Sequence, residues 1–382
     1  MRAGVSPARH AQRLEGLAEA MGRRGISAAL IGVGAELEWL VGYTARGFER
    51  LNLLIVRARG RPTLVVPRLE LGAASVAPAV SGGLVEVVEW QETDDPFALV
   101  AQTAHDPGSS QRMLVSDGLR AAFLLRLQAV LPDAAFEPVS TCLAALRRAK
   151  DEEETSRLRA AAAAADRAMA GTVAGRLVGR SEADIAREVG ERLVAEGHDS
   201  ALFAIVASGP HSASPHHEPS DRLVAAGEPL LLDIGGRLSG YCSDTTRTFW
   251  VGGAEGRGPD PAFTALYGVL RTAQAAGRAA VRPGVTPEAV DRAARAVIEA
   301  GGHGEHFFHR LGHGIGLEVH EEPWIVSGNA EPLAVGDAFS VEPGIYLEGR
   351  YGARIEDIVV CRDGVAETLN DLPRELAVVR GT

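Results

Sequence analysis

Residues 228–252 have the sequence EPLLLDIGGRLSGYCSDTTRTFWVG, which predicts two antiparallel strands joined by a turn that contains glycine. Asp233 ends the first apolar run, and Asp244 follows the turn. If the two strands pair, their carboxylates converge on one face of the sheet. The pattern therefore predicts two neighbouring acids in an otherwise apolar setting.

Two more acids occur in strand-like apolar runs further along the chain. Glu342 lies in DAFSVEPGIY and Glu356 in GARIEDIVVC. A single acid of this kind is more often salt-bridged or exposed at a sheet edge. Four together repel one another and are costly to bury unless a cation neutralises them. His313, in RLGHGIGLEVHEEP, adds an imidazole, and this donor set suits a pair of divalent ions such as Mn²⁺, Co²⁺ or Zn²⁺.

Composition limits the function classes. The chain has 382 residues, enough for about two domains, and a net charge of −11 that disfavours nucleic acid and anionic membranes as partners. Three cysteines without CxxC spacing give no support to a disulfide framework or a thiolate zinc site, and they favour a reducing cytoplasm. We find no apolar signal region and no run long enough for a membrane span, so we expect a soluble cytoplasmic protein.

The first part of the chain has an α/β pattern. A helix is expected over residues 6–23, and strands are expected in ISAALIGVG, LNLLIVRARGRPTLVVP, VEVVEW and RMLVSD. The acidic start of DEEETSRLRAAAAAADRAMAG suits the N-terminus of a helix. We place a domain boundary near Lys150, with domains at residues 1–148 and 149–382.

The second part contains a weak internal sequence repeat. Ser181 and Thr286 are each expected to cap an amphipathic helix, and each helix is followed at the same distance by Gly-His, ending at His198 and His303. An alanine-rich sequence can produce such a repeat by chance. A duplicated α/β unit and coincidence therefore remain equally open on this feature alone.

Five ordered segments resemble the pita-bread-fold metallopeptidases, specifically the aminopeptidase P and prolidase (Xaa-Pro dipeptidase) branch. They are IVASGPHSASPHHEP, LLLDIGGRLSGYCSDTTRTF, HRLGHGIGLEVHEEP, FSVEPGIY and GARIEDIVV. The resemblance covers essentially the whole chain and is strongest in residues 205–357. It implies an α/β (α+β) fold, with an N-terminal creatinase/prolidase-like domain followed by a pita-bread catalytic domain with a pseudo-twofold repeat.

The resemblance also implies a ligand set. Asp233 would bind one metal ion, Asp244 and Glu356 would bridge both ions, and His313 and Glu342 would complete the second site. Two such ions activate a water molecule at neutral pH. The family suggests Mn²⁺, with Co²⁺ or Zn²⁺ as alternatives, and Glu342 resembles its general base.

Further side chains are assigned by the same resemblance. His216 matches a histidine near the scissile bond, and His320 matches one that contacts the substrate carbonyl and the tetrahedral intermediate. His309 matches a residue toward the proline pocket, and Arg354 matches an arginine that supports the site and counts among the substrate-binding residues. Ordinary structural roles are expected for His211, His217, His303 and His306.

The segment WLVGYTARGFERLN in the first domain contains Trp39, Tyr43, Arg46, Phe48 and Arg50. A loop with solvated arginines and locally packed aromatic residues is as good an interpretation as a functional one. In the family, loops of this domain often reach the active site of the neighbouring subunit of a homodimer. Arg46 or Arg50 could there bind the free carboxylate of a short peptide and so favour dipeptides.

Other functions on this fold stay open. Creatinase cleaves a C–N bond without metal, and a metal-dependent hydrolase of a small non-peptide substrate or a non-catalytic binding protein is also possible. Retention of all five ligands argues against the metal-free and non-catalytic alternatives. Methionine aminopeptidases are usually shorter and lack such an N-terminal domain. The expected partners are short proline-containing peptides.

Overall fold

The computed structural model describes residues 5–47, 49–104, 111–252 and 258–380. The chain divides into two compact units, Met1–Arg147 and Arg148–Thr382.

A mixed six-stranded sheet forms the centre of the first unit. Its strands are β1 (Ala28–Gly32), β2 (Leu53–Arg57), β3 (Thr63–Pro67), β4 (Glu86–Trp90), β5 (Arg112–Val115) and β6 (Ala135–Pro138). The strand order is β4-β3-β2-β1-β5-β6. The helices are α1 (Pro7–Arg24), α2 (Ala35–Val41), α3 (Leu71–Ser75), α4 (Pro78–Ser81), α5 (Pro96–Ala104), α6 (Ala121–Val130) and α7 (Ser140–Arg148). The predicted helix and five predicted strands are confirmed, whereas β6 lay outside the prediction.

Local signals explain the bounds of α1. The hydroxyl of Ser6 accepts a hydrogen bond from a backbone N–H of the first turn, and Pro7 occupies the first helical position. Gly25 ends the helix in the left-handed conformation, with φ of 65°. Leu17 and Met21 are fully buried, one helical turn apart.

The second unit consists of two helix-covered sheets and a two-stranded ribbon. Its helices are α8 (Glu152–Val173), α9 (Glu182–Ala195), α10 (Pro261–Ala280) and α11 (Pro287–Ala300). Its strands are β7 (Ser200–Ser208), β8 (Glu228–Leu238), β9 (Tyr241–Cys242), β10 (Thr245–Gly252), β11 (Gly312–Gly314), β12 (Glu321–Ile325), β13 (Ala338–Val341), β14 (Gly344–Leu347), β15 (Tyr351–Arg354), β16 (Asp357–Val360), β17 (Glu367–Thr368) and β18 (Val378–Arg380). The sheets have the orders β18-β10-β8-β7, with β9 beside β8, and β12-β11-β13-β16-β17, while β14 pairs with β15.

The second unit has two halves of similar architecture, each with a pair of helices packed on a sheet. Both α9 and α11 have 14 residues, and their N-caps Ser181 and Thr286 each accept a hydrogen bond from a backbone N–H of the first turn. One apolar core joins α8 and α9 to β7, β8 and β10. A second core joins α10 and α11 to the sheet that contains β13 and β16. The duplicated α/β unit that the family resemblance implies is therefore present.

Two glycines allow β11 to run between its neighbours. A Cβ atom on Gly312 would collide with the backbone oxygen of Ser340, and one on Gly314 would collide with the backbone oxygen of Glu322. Any side chain at either position would push β12 or β13 away from β11. These glycines therefore place His313, which lies between them, at a fixed depth in the sheet.

All three cysteines are buried and free. Within the described ranges, we find no helix that combines the length and the apolar character needed to cross a bilayer.

Candidate metal centre

Four acids come together, one from the middle of strand β8 and three from positions next to strands β10, β13 and β16. Asp233 lies in β8 and pairs across the sheet with Thr246 of β10, so the predicted antiparallel pairing is confirmed. Asp244 lies one residue before β10, Glu342 directly follows β13, and Glu356 lies between β15 and β16. Three of the four acids thus lie just beyond strands rather than inside them, and the backbone N–H groups of Glu342 and Glu356 are still hydrogen-bonded, to Leu311 and Thr246 respectively.

The four carboxylates and His313 form one cluster. Ligand atoms of Asp233, Asp244 and Glu356 lie within 4.8 Å of one another, and so do those of His313, Glu342 and Glu356. The Nε2 atom of His313 is 3.2 Å from Glu342 Oε1 and 3.6 Å from Asp244 Oδ2. Because Glu356 belongs to both groups, the five residues form two adjoining ligand sets.

Two carboxylate oxygens in this cluster indicate that it binds a cation. Among the described residues, Asp233 Oδ1 and Glu356 Oε1 are buried and have no hydrogen-bond partner. Asp233 is 8% exposed and Glu356 only 1%. Buried carboxylate oxygens without donors are unfavourable unless a positive ion compensates them. The residues present therefore fit a pair of divalent ions, with oxygen ligands and one imidazole.

The electrostatics of the cluster agree with this fit. Burial, followed by repulsion from Glu356, Asp233 and Glu342, raises the pKa of Asp244 well above its ordinary value. Burial, then repulsion from Glu342 and Asp233, does the same to the pKa of Glu356. For Glu342, burial also acts to raise the pKa, but the hydrogen bond and charge of His313 outweigh it and hold that pKa at about 2.

Two hydroxyl groups that the sequence analysis missed support the ligands. Thr246 donates to Glu356 Oε2 at 2.7 Å. Ser340 donates to Glu342 Oε1 at 3.1 Å and accepts from the backbone N–H of His313 at 3.0 Å. Thr246 and Ser340 each stand two positions from a predicted ligand, Asp244 and Glu342 respectively. Alternation along a strand could therefore have found both.

Arg354 is only 2% exposed, and all three of its nitrogens are engaged. Its Nη2 donates to Asp233 Oδ2 at 2.6 Å, its Nη1 donates to Tyr346 Oη at 2.7 Å, and its Nε donates to Thr246 Oγ1 at 3.3 Å. The guanidinium thus fixes one oxygen of Asp233 and leaves Oδ1 for a cation.

His320 lies beside the cluster. Its ring centroid is 4.1 Å from that of His313, and the rings meet edge to face. Burial, followed by the electrostatic influence of His313 and Arg310, lowers the pKa of His320 to about 4. The imidazole is therefore neutral at neutral pH, with one N–H available as a donor. His216 is exposed.

His309 lies in an aromatic group at the edge of the cluster. Its Nε2 is 3.1 Å from Tyr346 Oη, and burial lowers its pKa. Phe308 packs on Tyr346 with ring centroids 5.6 Å apart, although 66% of Phe308 is exposed. Tyr346 therefore joins the aromatic group to Arg354.

The two candidate arginines of the first unit have different surroundings. Arg50 forms ion pairs with Glu49 at 2.6 Å and Glu92 at 2.7 Å. Arg46 is exposed. Phe48, which belongs to the same predicted segment, lies outside the described residues.

Comparison with known proteins defines the class. The sequence profile of metallopeptidase family M24 matches residues 156–363, and that of the creatinase/prolidase N-terminal domain matches residues 13–149. The chain belongs to metallopeptidase family M24. The predicted family and fold class are therefore confirmed, and with them the prediction of a metal-dependent peptidase.

Individual relatives cover nearly the whole chain. A probable dipeptidase PepE of Mycobacterium tuberculosis is 45% identical over 374 residues, which is 97% of this chain and 96% of that protein. The crystal structure of dipeptidase PepE from Mycobacterium ulcerans matches with a TM-score of 0.93 and 44% identity, covering 99% of this chain and 100% of that one. A recombinant prolidase from Thermococcus sibiricus matches with a TM-score of 0.89 and 33% identity, covering 97% and 99%.

Proposed function

We propose that this protein hydrolyses the Xaa-Pro bond of short proline-containing peptides. Two divalent ions would be held by Asp233, Asp244, His313, Glu342 and Glu356. The observation that carries the proposal is the pair of buried oxygens, Asp233 Oδ1 and Glu356 Oε1, which have no donor among the described residues and lie in one cluster with an imidazole.

Mn²⁺ is the proposed native ion, with Co²⁺ or Zn²⁺ as alternatives, because carboxylates with a single imidazole suit all three. Bound at this cluster, the ions would supply Lewis-acid activation of water and of the peptide carbonyl at neutral pH.

Three side chains divide the remaining chemistry. Glu342 is ionised at neutral pH, and the Ser340 hydroxyl holds its carboxylate, so it can accept the proton of the attacking water. His320 is neutral and can donate its ring N–H to the developing oxyanion. His216 would contact the substrate near the scissile bond.

The aromatic group favours proline. Phe308, His309 and Tyr346 offer ring surfaces beside the acid cluster, and a pyrrolidine ring can pack on them without a charged partner. Arg354 contributes by holding Asp233 and Tyr346 in place, since its hydrogen bonds already engage all its nitrogens.

Dipeptides are the proposed preferred length. Support comes from the relatives, which are named dipeptidase and prolidase. Arg46 or Arg50 would bind the free carboxylate of the dipeptide across a homodimer. Assembly as a homodimer and a cytoplasmic location stay predictions. Light scattering coupled to size-exclusion chromatography tests the first, and cell fractionation tests the second.

A mass-spectrometric cleavage assay tests the function. Mn²⁺-loaded protein is incubated with Xaa-Pro dipeptides, Xaa-Pro-Yaa tripeptides and the corresponding alanine peptides. We expect the proline dipeptide to be cleaved fastest. Faster cleavage of the tripeptide before proline would make the protein an aminopeptidase P. If the protein binds metal but cleaves no peptide, the proposed substrate class is wrong and a small non-peptide C–N substrate takes its place.

A variant tests the role of Glu342. Glu342→Gln removes the proton acceptor and should abolish turnover while the far-UV circular dichroism spectrum stays unchanged. Glu348→Gln, an exposed acid six residues later, is the matched control and should keep full activity. Full activity in Glu342→Gln would contradict the mechanism.

A further inference from the structure

A second cluster lies outside the acid centre, around Glu182. This residue is the first of α9 and is completely buried. Its carboxylate accepts hydrogen bonds from Ser208 N and Oγ at 2.8 Å, His211 Nδ1 at 3.0 Å, His217 Nε2 at 2.8 Å, Ser220 N at 3.2 Å and Ser220 Oγ at 2.8 Å. Both histidines must present N–H groups to this carboxylate. A buried charge is thus fully matched by donors that come from one segment, residues 208–220.

The arrangement favours hydrogen bonding over a third metal ion. Ligand atoms of Glu182, His211 and His217 lie within 4.8 Å of one another, which is close enough for metal coordination. An ion there would have to displace the serine and backbone donors that already occupy the carboxylate oxygens. The hydrogen bonds also explain why the pKa of Glu182 is about 2 although burial acts to raise it.

The segment that Glu182 holds carries His216. The residue after it, His217, is bound to Glu182. The residue before it, Pro215, accepts a hydrogen bond at its carbonyl from Nη2 of Arg354 at 3.3 Å. His216 is therefore an exposed side chain between two anchored residues, one tied to α9 and the other tied to the acid centre.

A further contact fixes the start of the same segment. Ser212 Oγ accepts a hydrogen bond from the backbone N–H of Gly352 in β15 at 2.9 Å. A Cβ atom on Gly352 would collide with the carbonyl oxygen of Ser212, so the two backbones pass in close contact. Because β15 ends at Arg354, the segment and the acid centre share this strand.

We propose that Glu182 is a positioning residue for His216: it gathers the donors of residues 208–220 and so fixes His216 between His217, which Glu182 binds, and Pro215, whose carbonyl Arg354 binds. This inference rests on the proposed function, in which His216 contacts the substrate. Histidines 211 and 217 act with Glu182 as part of the anchor and do not touch the substrate.

Two variants of one helix separate this role from general helix stability. Glu182→Gln keeps the size of the side chain but places an amide NH₂ against groups that are themselves donors. Glu188→Gln is the matched control, since Glu188 lies on the same helix and pairs with Arg180 and Arg192 in a partly exposed setting. Both variants are made in the full chain loaded with Mn²⁺.

Hydrogen–deuterium exchange measures the anchoring directly and requires no substrate. In Glu182→Gln we expect at least several-fold faster exchange in residues 212–220, and no change in that segment in Glu188→Gln. Unchanged exchange in Glu182→Gln would overturn the proposal. Metal content is measured on the same samples. Loss of one ion per chain in Glu182→Gln would also overturn it, in favour of a metal site at Glu182.

A double-mutant cycle with His216→Ala tests the functional link. Glu182→Gln alone should lower kcat for the proline dipeptide by about 10- to 100-fold, since small misplacements of a contacting group have effects of this size. KM should change less than kcat. In the His216→Ala background, Glu182→Gln should cause little further loss, because both changes then act through the same side chain. Equal losses in both backgrounds would contradict the link.

Failure of the proposed function can be distinguished from failure of the proposed role of Glu182. If the wild-type protein cleaves no peptide, the proposed function fails while the exchange experiment still decides whether Glu182 anchors the segment. If Glu182→Gln does not fold, His217→Phe removes a single donor and enters the same exchange experiment and cycle with the same expectations.

Discussion

The hydroxyl of Thr246 donates to Glu356 Oε2 at 2.7 Å, while Glu356 Oε1 is buried with no hydrogen-bond partner in the described part of the chain. One oxygen of this carboxylate is thus fixed and the other is left for a cation. Arg354 and Asp233 repeat the arrangement, because the guanidinium binds Oδ2 and Oδ1 has no partner. Hydrogen bonds from this chain therefore orient both carboxylates, which are candidate metal ligands.

Thr246→Val should weaken metal binding by about 10- to 100-fold, since the variant keeps the shape of the side chain but no longer orients Glu356. Isothermal titration of the metal-free protein with Mn²⁺ measures the change. Thr245→Val is the control: its hydroxyl faces Asn370 at 2.7 Å, away from the acids, and it should leave the affinity unchanged. Equal losses in both variants would show that strand β10, and not the Thr246 hydroxyl, is responsible.

Asp244→Asn should stabilise the metal-free protein and abolish its response to metal. In the wild type, burial and the other acids raise the pKa of Asp244, so removal of its charge relieves repulsion. A bound ion stabilises only a protein that can bind it. Thermal unfolding with chelator and with Mn²⁺ tests both points. Asp363→Asn, at an exposed acid, should behave like the wild type. A wild-type melting temperature that chelator does not lower would argue against a metal centre.

Glu182 should contribute to stability at neutral pH and lose this contribution in acid. Its pKa falls from 4.5 to about 2 on folding, so its contribution is complete above pH 4.5 and disappears as the pH falls toward 2. The shift corresponds to at most about 3 kcal/mol. Urea unfolding between pH 6 and 2.5 should show a smaller pH dependence in Glu182→Gln than in the wild type. Parallel curves would contradict the assignment.

Lys150→Met should destabilise the second unit by about 3–5 kcal/mol. The Nζ of Lys150 is 2.6 Å from Glu321 Oε1, and the two side chains are only 1% and 8% exposed, so the variant leaves a buried carboxylate without this ammonium. Urea unfolding measures the loss. Arg292→Met, which removes an exposed pair with Glu288, should change stability by at most about 1 kcal/mol.

Replacing both partners provides the decisive comparison for this ion pair. Lys150→Met combined with Glu321→Leu removes both charges and should recover much of the lost stability. If the double variant is as unstable as Lys150→Met alone, packing around Lys150 and not its charge is responsible.

Much of the fold could be predicted because its signals are local. Caps at Ser6, Ser181 and Thr286 lie within a few residues of the helices that they start, and apolar runs mark most strands. Strand β6 escaped prediction because its four residues, AFEP, have neither a long apolar run nor a clear alternation. The bounds of α1 agree with the prediction within a residue, because proline and glycine stand at its two ends.

The acid cluster was predicted from several motifs taken together and not from a local signal. Individual acids in apolar strands are weak signals, but four of them with His313 and the five family segments form a strong one. That Asp233 and Glu356 meet was expected from resemblance, since no local pattern connects residues more than a hundred positions apart. The alternation of side chains along a strand could have predicted Thr246 and Ser340, but both were missed.

The sequence by itself determined helices α1, α8, α9 and α11, the strands with clear apolar runs, the family and the identity of the acids and histidine that could hold metal, because each depends on composition or on spacing along the chain. Only the tertiary structure decided that Arg354 joins Asp233 to Tyr346, that Lys150 neutralises Glu321 and that Glu182 gathers residues 208–220. These contacts link distant parts of the chain. Each contact pairs a buried charged group with partners that come close only when the sheets pack. Local hydrophobic periodicity in the sequence does not predict such pairs.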